Sequence, residues 1–211
     1  MPDYLEILLV TVSGLLPIMN PFSTAVVFLT ITKGMTDEQR RRQALLGCIY
    51  AFFILVVFLV AGQAIISFFG ISIPGIRIAG GLVILTVGYR MLFPVHDELS
   101  PEQAREARDS DNIAFTPLAM PSLSGPGSIA VVLGAASEVN KGNVFLWTAV
   151  IIVAIAVTAL ICYIVLNGAS RFVRFIGANG LVAMTKIMGF ILIAMAVQFI
   201  FSGIQDFAKQ L

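Results

Sequence analysis

The chain has 211 residues, of which 58% are hydrophobic and only 12% charged, with a formal net charge of +1. Soluble domains carry roughly 25% charged residues, so a mean hydropathy of +0.96 places this chain in a membrane. A net charge this close to zero, with no basic cluster interleaved with aromatics, gives no argument for a nucleic-acid partner.

The first apolar segment covers residues 5–31, and the N-terminus offers Asp3 and Glu6 in place of the basic region of a signal peptide. It exceeds the about 7–15 residues of a signal core and is expected to be retained. Pro17 and Pro21 flank Ile18-Met19-Asn20 near its middle. Proline removes a main-chain donor and clashes with the preceding turn, so a helix is expected to break here. Five further segments reach the about 20 apolar residues a membrane span needs: 44–66, 74–93, 113–136, 144–167 and 181–204. Residues 94–112 form a charged linker containing Asp97, Glu98, Glu102, Arg105, Glu106, Arg108, Asp109 and Asp111. Ser100-Pro101-Glu102-Gln103 reads as a helix start, and His96 as a solvated loop residue.

The fourth segment repeats the features of the first. Asn20-Pro21-Phe22-Ser23-Thr24-Ala25-Val26-Val27 is matched by Gly125-Pro126-Gly127-Ser128-Ile129-Ala130-Val131-Val132, and Pro117, Pro121 and Pro126 surround Ser122-Leu123-Ser124-Gly125. Arg77-Ile78-Ala79-Gly80 aligns in turn with Lys186-Ile187-Met188-Gly189. Three spans per half give the halves opposite orientation, which is the inverted repeat of many secondary transporters. The expected fold is therefore an all-α integral membrane protein. Repeat 1 (1–93) and repeat 2 (113–211) each hold three membrane segments, the first of each broken, at Pro17–Pro21 and Pro117–Pro126. Re-entrant hairpins are the alternative for the two broken segments. The acidic start and the Arg40, Arg41 and Arg42 cluster after the first segment favour spanning.

Orientation follows from the cations. Lys33, Arg40, Arg41, Arg42, Arg90, Arg105, Arg108, Arg171 and Arg174 fall on one side, and Arg77, Lys141 and Lys209 on the other. The richer side is cytoplasmic, which puts both termini outside and the chain in a bacterial or archaeal inner membrane.

Broken helices at membrane depth leave polar main-chain groups to line a site. The half-helices starting at Pro21 and Pro126 present N–H groups and a partial positive charge, suited to a carboxylate with help from Ser23 or Ser128. Freed carbonyls with Asn20, Ser122 and Ser124 suit an ammonium. Gly125 and Gly127 permit close approach of a backbone or a small ligand. The candidate substrate-binding set is Asn20, Pro21, Ser23, Ser122, Ser124, Gly125, Pro126, Gly127 and Ser128, and the expected partner is a small zwitterion. Arg77 and Lys186 either snorkel to the headgroups or gate the path. Cys48 and Cys162 show no metal or redox spacing and read as packing residues.

No Asp or Glu lies within the six interiors. That argues against an intramembrane enzyme and against proton coupling through a buried carboxylate. Sodium held by carbonyls and hydroxyls, uncoupled exchange and a homo-oligomeric state are all compatible with the pattern. No cofactor or metal is implied.

Leu16-Pro17-Ile18-Met19-Asn20-Pro21-Phe22, Pro121-Ser122-Leu123-Ser124-Gly125-Pro126-Gly127 and Arg77-Ile78-Ala79-Gly80-Gly81 together resemble motifs of the MarC family of inner-membrane proteins. The resemblance covers nearly the whole chain. It implies a six-span fold and transport of small neutral amino acids such as glycine and alanine. The rival expectations are an aquaporin-like channel for small solutes and a non-transporting scaffold.

Overall fold

The computed structural model describes residues 4–93, 113–137 and 143–209. The charged linker with its helix start at Ser100 and His96, and also Lys141, lie outside the described residues.

Helix α1 (Tyr4–Met19) runs straight through Pro17, and α2 (Pro21–Ile31) follows after Asn20 alone. The expected interruption across Pro17–Pro21 is thus narrowed to one residue. A proline ring disturbs only the turn before it, and Pro17 lies in the last turn of α1 with a long run of helix ahead of it to hold that turn. The two helices together satisfy the length and apolarity of one membrane span, Tyr4–Ile31.

Helix α3 (Asp37–Phe68) begins well before the apolar window. Thr36 caps it: its hydroxyl accepts from the Gln39 N–H at 3.2 Å, while the Gln39 side chain accepts from the Thr36 N–H at 2.8 Å. This reciprocal box extends the helix through Arg40, Arg41 and Arg42, beyond what hydrocarbon thickness requires. Helix α4 (Ile73–Leu92) is capped by Ser72 and has proline in its first turn.

Residues Ala114–Leu123 are wound but not helical. Thr116 and Met120 are extended, and the Thr116–Pro117 and Met120–Pro121 peptides are cis. Helix α5 (Pro126–Ser137) leaves this segment at a bend of 59°. Helix α6 (Val144–Asn167) coincides with the expected fifth span. Helix α7 (Ala169–Ala208) contains Gly177 at φ 71° and ψ 169°, a conformation open to glycine, which separates a short first piece from the last span. Five helices among the described residues are long and apolar enough to cross a membrane, and the bent pair makes a sixth.

Helices α4 and α7 run antiparallel in the most extensive contact of the fold. Glycine makes this closeness attainable. A Cβ on Gly88 would lie 2.8 Å from the Gly189 carbonyl oxygen, and one on Gly189 would lie 2.9 Å from that of Gly88. Gly81 faces the Ala196 carbonyl and Gly203 that of Pro74 in the same way. The core between the other helices is apolar, with Leu15, Met19, Phe28, Leu55, Ile84, Leu118, Leu123, Ile151 and Ile155 buried. Outward faces are apolar too. Leu9, Phe53, Val57, Val60, Phe190 and Phe201 are exposed, as helices solvated by lipid require.

The Gly88 contact makes a direct prediction. Gly88→Val should lower stability by about 1–3 kcal/mol through overpacking against a carbonyl that cannot withdraw. Val57→Leu, on the lipid-facing surface, should stay within about 0.5 kcal/mol. Thermal unfolding of the purified protein in detergent compares the two.

Candidate functional site

Asn20 sets the geometry of the first break. It sits at φ 37° and ψ 66°, the left-handed conformation that asparagine tolerates better than other side chains. Its N–H donates to the Leu16 carbonyl and closes α1; its carbonyl accepts from the Thr24 N–H, at 3.1 Å, and opens α2. Its side-chain oxygen accepts from the Ser23 N–H at 3.3 Å, and its amide donates weakly to the Met91 sulfur at 3.7 Å. Pro21, at the first position of α2, has no N–H to satisfy. The residue is buried, with 7% of its surface exposed.

Gly125 takes the corresponding place in the second break, its carbonyl accepting from the Ile129 N–H at 3.1 Å. A Cβ there would meet the Pro121 carbonyl oxygen at 2.6 Å, so the tight return of the chain demands glycine. Pro126 starts α5 as Pro21 starts α2.

The hydroxyls of the second break share one pattern. Ser122 donates to the Pro117 carbonyl at 2.8 Å, Ser124 to Ala119 at 2.9 Å and Ser128 to Leu123 at 3.0 Å, each five residues back. Thr24 does the same to Met19 at 3.4 Å. These carbonyls lie in the last turns before each break; that of Ala119 also accepts from the Ser124 N–H at 2.8 Å. A hydroxyl has one hydrogen and two lone pairs. With the hydrogen committed inward, Ser122, Ser124 and Ser128 present acceptors outward. In this arrangement Ser128 faces its surroundings as an acceptor, whereas assisting a carboxylate needs its hydrogen.

The two breaks are neighbours. A Cβ on Gly127 would touch Ile18 at 3.2 Å and Ile84 at 3.9 Å, so the second break packs against the residue two before Asn20. Asn20, Ser124 and Ser128 are all buried within this contact. On one side lies a cavity of about 370 Å³ that includes Glu6, Gly14, Arg77, Val131 and Gln198 in its lining. On the other lies one of about 840 Å³ that includes Ser23, Lys33, Arg90, Met91 and Lys186. The two share no lining residue. Of the sequence-derived set, Ser23 and Lys186 thus line one cavity and Arg77 the other, while Asn20, Ser124 and Ser128 are buried and line neither.

Arg77 is largely buried and forms an ion pair with Asp206, which Lys209 also approaches at 3.8 Å. Neither Asp206 nor Glu6 was singled out from sequence, because both lie at the ends of apolar segments where an acid reads as a solvated terminus. An Arg one turn into α4 and an Asp in the last turn of an antiparallel α7 are what would have paired them. Lys186 is exposed and has no ion-pair partner among the described residues. No group of three or more His, Cys, Asp or Glu among the described residues is placed to hold a metal ion. Cys48 and Cys162 are free and buried.

An all-helical bundle with a buried double break and flanking cavities defines a multi-pass integral membrane protein. Residues 5–208 match the family described as MarC family integral membrane protein. The chain is 41% identical over 206 residues to the UPF0056 inner membrane protein MarC of Escherichia coli strain K12, covering 92% of each chain. The protein of the same name from Shigella flexneri matches with the same identity and coverage. This chain belongs to the MarC family, and its relatives are named as inner membrane proteins. No solved structure matches it.

Asn20 carries a stability prediction. Asn20→Ala removes a cap and forces alanine into a left-handed conformation, and should cost about 2 kcal/mol. Asn20→Gly keeps the backbone conformation available and should cost less than about 1 kcal/mol. Chemical denaturation of the two variants checks the order.

Proposed function

We propose that this chain is an alternating-access secondary transporter of small neutral amino acids, built as two inverted repeats with both termini outside. The observation that carries the reading is the pair of separate cavities on either side of the buried breaks. A shift of roughly 105 positions takes Val26, Leu29 and Thr30 of the larger cavity onto Val131, Gly134 and Ala135 of the smaller. A shift of roughly 109 takes Arg77 onto Lys186 and Phe199 back onto Arg90. Five lining residues of each cavity thus have a counterpart in the other, while Glu6, Ile7, Val10, Thr11, Gly14 and Trp147 of the smaller cavity have none in the larger.

Helix contacts support the same exchange. Helix α1 lies on α6 as the wound segment 114–123 lies on α3, and α2 packs on α7 as α5 packs on α4. The α4–α7 pair maps onto itself. An inverted repeat can open one cavity toward the breaks while closing its counterpart, which is how such folds alternate access.

The chemistry favours a zwitterion. Hydroxyl lone pairs of Ser122, Ser124 and Ser128, together with the Asn20 side chain, would receive an ammonium. The Phe22 N–H in the first turn of α2 and those of Gly127 and Ser128 in the first turn of α5 would receive a carboxylate. Gly125 and Gly127 keep the space small, which selects glycine- or alanine-sized solutes. Arg77 and Lys186 would attract the carboxylate into each cavity in turn, Arg77 exchanging Asp206 for substrate. A coupling ion, if used, would have to be held by carbonyls and hydroxyls, since no acid lies among the buried polar residues.

Two cavities that share no lining residue favour a transporter over an aquaporin-like pore, which conducts through a continuous path. A thermal-shift screen of the purified protein across amino acids tests the proposal. Glycine, alanine or serine well above its dissociation constant should raise the unfolding temperature. In proteoliposomes, flux of that amino acid should saturate, and Asn20→Gly and Ser124→Ala should each reduce it at least about tenfold while staying folded. Undiminished flux in both variants would remove the site. Absence of any shift with any small solute would favour a scaffold.

A further inference from the structure

A third cavity, of about 370 Å³, lies where the start of α3 meets the junction of α6 and α7, away from the breaks. We propose that it binds a phosphate oxyanion, the group shared by an anionic phospholipid head and free phosphate, and that this binding is independent of transport. Arg40, Arg41 and Arg171 line it, and its one acid, Asp37, is fully exposed at 102% of the side-chain reference surface. Three guanidinium groups against one solvated carboxylate leave the cavity with a clear positive excess.

Two of the three arginines are held in place, while Arg171 is exposed at the rim. Arg40 is half-buried; its Nε donates to the Thr32 hydroxyl at 3.2 Å, and one terminal nitrogen reaches Asp37 and the Ser170 hydroxyl, each at 3.5 Å. The Arg41 Nε donates to the Tyr163 hydroxyl at 3.1 Å. Each of these bonds uses one edge of a five-donor fork and leaves the remainder for an oxyanion. Fixing the forks beforehand reduces the entropy lost on binding. Helix α7 begins at this wall without a side-chain cap, its Gly168 carbonyl already accepting from Arg171 and Phe172, so its first-turn N–H groups add to the same field.

The position suits a lipid head. By the cation count this end of the bundle is cytoplasmic, where anionic lipids are attracted to basic pockets between membrane helices. One turn toward the bilayer, Leu45 and Ile164 are exposed and offer an apolar track for an acyl chain.

The test uses the purified full-length protein, stripped of lipid in detergent. It is offered dioleoyl-phosphatidylglycerol, dioleoyl-phosphatidylcholine or inorganic phosphate, with retained lipid counted by native mass spectrometry and stability followed by thermal unfolding. Phosphatidylglycerol should be retained over phosphatidylcholine, and Arg171→Gln should lower that retention about fivefold. Arg42→Gln removes the same charge just outside the cavity and should leave retention unchanged. Ser170→Trp fills the cavity without changing charge and should match Arg171→Gln, so a folding defect in one variant does not decide the matter. Stabilisation of the parent, but not of Arg171→Gln, by inorganic phosphate would assign the site to the free ion; selective retention of phosphatidylglycerol would assign it to lipid. Equal losses in Arg171→Gln and Arg42→Gln would reduce the effect to diffuse surface charge and overturn the proposal. So would equal retention of both lipids with no response to phosphate.

Discussion

Every main-chain N–H and C=O inside a membrane must find a partner within the protein, because lipid supplies none. The two proline breaks put that requirement under strain at the centre of this bundle, and the surrounding structure answers it locally. Asn20 closes one helix with its N–H, opens the next with its carbonyl, and caps it with its side chain. In the other half the serine hydroxyls bend back onto carbonyls five residues earlier. The result is a buried break whose main-chain groups are answered largely by the protein itself. A continuous helix would satisfy the same groups and offer nothing to a solute.

The two halves solve this differently. The first needs one left-handed asparagine, so α1 and α2 stay nearly aligned. The second spreads its interruption over ten residues with two cis prolines and a 59° bend. The first half carries two prolines four apart, where the end of a helix absorbs one; the second carries three, at 117, 121 and 126, with Thr116 and Met120, the residues before the first two, held extended. Equivalent sequence motifs therefore sit on unequal backbones, while the carbonyls of Asn20 and Gly125 begin the following helix in the same way.

Much of the bundle was legible from sequence, for a simple reason: a span is about 20 apolar residues long whatever it packs against. The 144–167 segment agrees end to end with α6. Boundaries failed where polar chemistry extends a helix beyond the hydrocarbon, as the Thr36–Gln39 box does for α3, or where glycine joins two pieces, as Gly177 does in α7. Within the candidate site, the prolines, Asn20 and the serines announced themselves as polar or rigid groups in a greasy background. The direction of each serine hydroxyl did not, since it depends on which carbonyl the fold strands nearby. Nor did the ion pair of Arg77 with Asp206, which depends on two helix ends far apart in the chain being brought together.

The reciprocal seating of Gly88 and Gly189 also governs how this bundle is able to move. With each carbonyl occupying the hollow where the other residue's methyl would be, α4 and α7 cannot slip past one another by a notch without collision. They must travel as a single keel. In the transport cycle proposed above, the short half-helices α2 and α5 would supply the movement and α4 with α7 the fixed spine.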